Sequence, residues 1–359
     1  MPNPENSSLP ADFASNAAYP LFRLDLRARQ TQVLEFLPED YRRAAFLDER
    51  VLGQRPIAGA NFPLDQLRRH LLHRPGNPVA MHWLFHIGHC GSTLVSRLLD
   101  QQPGVLGLRE PLPLLELAAI RMEVEDPALR FDRAEYRGAL DLVLALLARG
   151  FADTRAVLVK PTSVVLNLAG DILSAPPRSQ AAFLWIDLES WLCLMLRSPD
   201  LCLAARQQAP ARIRDWQRFS GKHDATIAAL TDSELLAMSW LVEQLRWAEL
   251  CRRPEMAGRL LALNFDGFLA DPRAGLARLL DHYRLPVDEA RIEAALDSGL
   301  MSVYSKDARQ VFDGSTRERE IREAGSRFQH EVRSGLDWAK RKLADMDRPA
   351  LPGTLHRSA

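Results

Sequence analysis

Residues 85–100 read Phe85-His86-Ile87-Gly88-His89-Cys90-Gly91-Ser92-Thr93-Leu94-Val95-Ser96-Arg97-Leu98-Leu99-Asp100. The run Ala80–Ile87 (AMHWLFHI) is apolar and of strand length, and from Ser92 to Gln102 apolar residues recur at helical spacing. The order predicts a strand, a tight loop and a helix. Two glycines let the loop amides turn inward, and Ser92 and Thr93 add hydroxyls at a helix N-terminus. Exposed amides and the helix dipole favour an anion there. The residues thus predict a phosphate cradle made of Gly88, His89, Cys90, Gly91, Ser92 and Thr93. A bare Gly-x-x-Gly-Ser-Thr also describes an ordinary capped turn. A nucleoside-triphosphate loop places lysine between its last glycine and the Ser/Thr, whereas here Gly91 runs straight into Ser92. A cradle without that lysine suits a less highly charged group.

Outward from the loop, apolar runs alternate with helical patterns. Val105–Arg109, Ala156–Lys160, Ala182–Ile186 and Arg259–Phe265 read as further strands. A helix should start near Pro111, and another at Pro272 with Asp271 as its cap. The alternation predicts an α/β fold: a mostly parallel sheet flanked by helices, P-loop NTPase-like in architecture. Ligands in such sheets bind beyond the carboxyl ends of the strands. That singles out the cradle, Glu110, Lys160 and Asp187. The expected organisation is a disordered tail (1–20), an N-terminal helical segment (21–75), the main domain (76–348) and a C-terminal tail (349–359). The turn His73–Pro78 marks the start of the main domain.

The chain has 359 residues, with 46 basic and 46 acidic side chains and a formal net charge of zero. Bulk electrostatic attraction to nucleic acid or to an anionic membrane is excluded as a partner signal. The four cysteines form no CxxC pair and lie outside any metal-spaced histidine group, so reduced thiols and no metal are expected. The first ten residues lack a signal-peptide profile, and no apolar run is long enough to span a bilayer. A cytoplasmic protein is the expectation.

The segment resembles the 5′-phosphosulfate loop of the sulfotransferases, in which a cationic residue precedes a Ser-Gly-Thr-Thr-like turn. On that pattern Gly91, Ser92 and Thr93 take the anion-binding positions and His89 the cationic one. VLGLREP resembles the strand-plus-acid of the protein-tyrosine and bacterial sulfotransferase branch, which puts Glu110 at the general-base position. VLVKPTS puts Lys160 at that branch's active-site lysine. LNFDGFLADPRAGLARLLDHYRLP resembles the family's late Tyr-Glu-Asp-Leu…Pro segment, with Phe265, Asp266 and Gly267 standing for the first three. The similar patches run from Met81 to Pro286.

The resemblance implies transfer of a sulfuryl group from 3′-phosphoadenosine 5′-phosphosulfate to a hydroxyl or amine acceptor, small molecule or peptide. Glu110 would be the base and Lys160 the electrostatic catalyst, with no metal. Read alone, Glu110 also suits a helix start and Lys160 a strand-end lysine reaching solvent. His86, at the end of the strand, is an alternative to His89 as the site's cation. Cys90 sits where thiol pKa values fall, but the family carries a small non-nucleophilic residue there, which makes it a loop-packing residue. The chain departs from the pattern after AFLWI. The family's arginine and serine for the donor 3′-phosphate are replaced by Asp187-Leu188-Glu189-Ser190, with Met195 at the serine position. Ser190 and Arg197 are the candidate replacements, or Arg206, Arg212 or Lys306 folding back over the site. Two alternatives stay open: a small-metabolite P-loop kinase, and a non-catalytic nucleotide-binding or scaffold protein on the same fold. The acceptor pocket is expected from Pro111–Phe131, Leu201–Ser220 and the N-terminal segment, while Trp191, Trp216, Trp240 and Trp247 read as core.

Overall fold

Strands form where the chain runs apolar on both faces. The computed structural model describes residues 9–53, 55–73, 76, 78–126, 131–223, 225–304, 307–311, 314–346 and 351–353, with the backbone alone for 303–304, 307–311 and 314–315. Strands β4 (Ala80–His86), β5 (Val105–Arg109), β6 (Ala156–Lys160), β7 (Ala181–Trp185) and β8 (Leu260–Asn264) make a parallel five-stranded sheet, ordered β5-β6-β4-β7-β8. They follow β1 (Leu21–Asp25), β2 (Gln30–Leu34) and β3 (Gly59–Pro63) in the chain. Every residue of β6 and β7 is buried, as expected of strands covered by helices on both sides. Register runs Ala80↔Ala156 to Trp83↔Val159 on one side of β4, and Val105↔Ala156 to Arg109↔Lys160 beyond it. Toward β7, Trp83 N–H donates to Gln180 O (3.0 Å) and Ile87 N–H to Leu184 O (3.2 Å); equal steps of four confirm parallel pairing. The predicted α/β class is the observed one.

The chain divides into two compact units. The first comprises Met1–Phe85, Thr93–Ala182 and Leu276–Leu300. It contains a correction to the expected N-terminal helical segment: β1, β2 and β3 form an antiparallel sheet, paired Leu24↔Thr31 and Thr31↔Phe62. Among the described residues of that segment only Pro38–Arg43, Glu49–Leu52 and Leu64–His73 are helical. Part of the expected disordered tail is also built in. Phe13 is fully buried, and Arg149 donates to Phe13 O (2.7 Å), Tyr19 O (2.8 Å) and Leu146 O (2.7 Å). Burial pulls the Arg149 guanidinium down to about 10. Residues 1–8 of that tail, and 349–350 and 354–359 of the other, lie outside the described residues.

The second unit comprises His86–Ser92, Phe183–Gly275 and Met301–Ala359. Its centre is the helix Asp232–Cys251, opened by a capping box between Thr231 and Glu234 and buried on nearly every side. Trp191, Trp216, Trp240 and Trp247 are all core residues. A buried charge cluster ties Arg246 to Asp215 (2.5 Å) and Glu243 (3.0 Å), with Arg212 also on Glu243. Among the described residues no helix is long and apolar enough to cross a membrane.

Candidate functional site

The loop after β4 turns back through left-handed backbone: φ is 81° at Gly88, 52° at His89 and 79° at Gly91. Left-handed backbone at closely spaced positions turns the loop sharply, the kind of geometry that an anion nest uses to bring amides to one side. Three contacts within the second unit hold the opposite side. Trp191 Nε1 donates to Gly88 O (2.9 Å), which removes that carbonyl from the concave face. Cys90, 1% exposed, donates its thiol to Leu184 O (3.3 Å) and is a packing residue, as the resemblance implied. The ring of Phe265 lies against Gly91 so closely that a Cβ there would stand 2.1 Å from Phe265 Cζ. The glycine is required on two counts, backbone angle and space.

The histidine that ends β4 and the one in the loop differ in placement. His86 is buried, and its Nδ1 accepts from Gly88 N–H (2.9 Å), so that nitrogen carries no proton in this arrangement. His89 is exposed at the tip. The loop runs into the helix Ser92–Leu99, where the buried Thr93 hydroxyl has no hydrogen-bond partner. A buried hydroxyl left unmatched at a helix N-terminus fits an anion acceptor that would use it.

In the first unit, Glu110 and Lys160 meet. Both follow directly from paired strand ends, Arg109 opposite Lys160. Glu110 N–H donates to Lys160 O (2.7 Å), and the Lys160 ammonium donates to Glu110 Oε1. Thr162 Oγ1 reaches Glu110 Oε2 at 3.4 Å. Lys160 is 1% exposed and Glu110 18% by side chain, so the ammonium is sealed and the carboxylate still reaches solvent. Glu110 adopts φ 56°, a left-handed angle that costs a non-glycine residue about 1–3 kcal/mol. Pro161 disfavours helical backbone at Lys160, the last residue of β6.

Residues from the N-terminal segment border this pair, and no motif announced them. Arg109, fully buried, donates through Nε to Ala44 O (2.8 Å), through Nη2 to Tyr41 O, and pairs with Asp100 at 3.0 Å. Its own carbonyl accepts from Leu47 N–H (2.7 Å). The clamp brings the Phe46 ring to 5.3 Å from Lys160 Nζ. Arg50 covers the same ring at 3.7 Å and is held by Asp48 through Nε (2.8 and 3.0 Å). The hydrogen bond to Asp48 raises the Arg50 pKa above its ordinary value, with the charge of Glu110 adding to it.

The residues considered for a 3′-phosphate scatter. Arg197 caps the end of the helix Leu188–Leu196 and pairs with Glu320 at 2.7 Å. Ser190 is fully buried with its hydroxyl unmatched. Asp187 is buried at that helix's N-cap, and Glu189 sits in its first turn. Lys306 lies outside the described residues. A cation missed from the sequence is Arg317. Its side chain is 7% exposed, pairs with Asp266 and lies 5.5 Å over Phe265, the ring that touches Gly91. Its Nη2 is buried without a hydrogen-bond partner. Nothing local in the sequence marks it.

No known protein family and no curated protein matches the sequence. In structure the chain is similar to solved sulfotransferases. The sulfotransferase domain of the curacin biosynthetic pathway aligns over 70% of this chain and 98% of its own, at 14% identity and TM-score 0.36. A sulfotransferase from Mycobacterium avium aligns over 73% and 81%, at 12% identity and TM-score 0.39. Retinol dehydratase in complex with retinol and PAP aligns over 89% and 98%, at 14% identity and TM-score 0.33. Likeness of this degree carries no argument about chemistry, which rests on the residues themselves.

Proposed function

We propose that this chain moves a sulfuryl group from 3′-phosphoadenosine 5′-phosphosulfate to a hydroxyl or amine acceptor. The observation that carries the reading is the Glu110–Lys160 ion pair: two residues 50 apart, assigned as base and catalytic cation from separate motifs, form one contact. In the transfer, the acceptor oxygen or nitrogen bonds to sulfur as the bond from sulfur to the bridging phosphate oxygen breaks. The acceptor proton passes to Glu110, and the Lys160 ammonium, held behind that carboxylate, offsets through space the charge that grows on the bridging oxygen. The nest at Gly88–Gly91, with Ser92 and Thr93, holds the 5′-phosphate through amides and hydroxyls. His89 is the loop's cation, because His86 is engaged as an acceptor by Gly88. Arg317, buried with one nitrogen unmatched, takes a donor phosphate in place of the family's arginine.

The test is a thermal-shift series with adenosine 3′,5′-bisphosphate, ATP with magnesium, and sulfate. The bisphosphate raises Tm, and Glu110→Gln, assayed below its own Tm, keeps that shift while losing turnover. No shift at saturating bisphosphate, or a shift with magnesium ATP alone, refutes the reading and favours a kinase.

A further inference from the structure

We propose that Phe46 is a positioning residue for the Glu110–Lys160 pair, delivered by an N-terminal clip, residues 41–50, that Arg109 fastens. The functional weight of this inference rests on the sulfuryl-transfer reading; its geometry does not. A sealed ammonium is stable only where every face of it meets charge or a polarisable surface. On Lys160 the carboxylate of Glu110 supplies one such face and the Phe46 ring, at 5.3 Å, another. An aromatic face attracts a desolvated cation through its quadrupole, which an aliphatic side chain of equal volume does not.

The ring is itself immobilised. Phe46 is 6% exposed, lies beneath Arg50 at 3.7 Å, and is followed by Leu47, whose N–H is bound to Arg109 O. Arg109 also holds the carbonyls of Tyr41 and Ala44, so the clip is tied at Tyr41, Ala44 and Leu47 to the residue that precedes Glu110. One arginine thereby couples the docking of the clip to the placement of the base. Lys160 keeps its ammonium on Glu110 because the ring closes the direction in which the flexible stem would otherwise swing.

Amine labelling tests this without substrate. The chain has five lysines, and Lys222, 43% exposed by side chain, is an internal standard. The folded protein is treated briefly with acetic anhydride, and the acetylation of Lys160 relative to Lys222 is read by mass spectrometry. Phe46→Leu raises relative labelling about tenfold, the equivalent of losing one cation–π contact at a desolvated site. Phe46→Tyr keeps it within about twofold of the parent. Arg50→Gln, a change at an exposed side chain, raises it by a smaller factor and covers the case in which Phe46→Leu fails to fold. In a turnover assay, Phe46→Leu lowers kcat while donor KM holds. Equal labelling of Lys160 in the parent, Phe46→Leu and Arg50→Gln overturns the proposal. Labelling that responds as stated in a protein with no sulfuryl transfer leaves Phe46 as the holder of the pair and refutes only the reaction assigned to it.

Discussion

Removing Glu110 alone should cost more than removing both members of the Glu110–Lys160 pair. Lys160 is 1% exposed, so Glu110→Gln leaves a sealed ammonium without its countercharge, a loss of about 3–5 kcal/mol. Lys160→Met is milder. The carboxylate it orphans is 18% exposed and keeps the Thr162 hydroxyl, which limits the cost to about 1–3 kcal/mol. The double variant Glu110→Gln/Lys160→Met replaces two charges by neutral groups of similar shape and should be more stable than Glu110→Gln, which requires a coupling larger than the Lys160→Met cost, about 3 kcal/mol or more. For a chain of this length each kcal/mol moves Tm by about 2 °C, so Glu110→Gln falls by roughly 6–10 °C and the second substitution returns part of it. Calorimetric melts of the four proteins in one buffer measure this. Costs that add to within about 0.5 kcal/mol would show that the two charges do not depend on each other, and would refute the pair as described.

Three other outcomes follow from the geometry. Gly91→Ala adds a Cβ 2.1 Å from Phe265 Cζ at φ 79°, and should lower stability by about 2–4 kcal/mol; Phe265→Leu in the same chain returns part of the loss, and an unchanged Tm is the contrary result. Arg317→Met should raise the Kd for adenosine 3′,5′-bisphosphate about tenfold or more by titration calorimetry, while an unchanged Kd removes Arg317 from the anion site. His82, stacked on Tyr283 at 5.4 Å, is pushed down to about 4 by burial, with His282 and Arg284 adding to the effect. The unfolded imidazole takes its proton near 6.5 and the folded one near 4, so stability is whole above pH 6.5 and falls by about 3 kcal/mol as pH drops to 4. His82→Gln, which keeps an acceptor for Gln180 N–H, should flatten that slope in urea melts at pH 7 and pH 4.5.

What could be read in advance divides along the chain's locality. β5 and β6 match their expected bounds residue for residue, because runs buried on both faces end abruptly at a polar residue. Glu110 and Lys160 were legible for the same reason, each being the charge at such an end. The N-terminal sheet was not. Leu26-Arg27-Ala28-Arg29 consists of helix formers, yet it is the turn between β1 and β2, closed by Asp25 Oδ1 accepting from Ala28 N–H (2.8 Å) with Arg29 at φ 54°. Pairing with Gly59–Pro63, distant in sequence, overrides the local preference. Phe46, Arg50 and Arg317 were invisible on the same ground: each reaches its place by tertiary packing, with no motif around it.

The backbone angles bear on the candidate site more sharply than the motifs do. Four described non-glycine residues have left-handed φ: Arg29, His89, Glu110 and Arg284. Arg29 and Arg284 lie in exposed turns, where any side chain projects into water. Glu110 instead follows directly on the end of β5, and His89 lies three residues beyond the end of β4, after strand ends of the kind where parallel sheets bind their ligands. Glycine at 110 would relieve the backbone, and would still allow the amide to reach Lys160 O. What glycine would lose is the carboxylate on the Lys160 ammonium. The strain at 110 is therefore tolerated for the side chain's position, and the clip that seats Phe46 beside Lys160 is part of what holds it there.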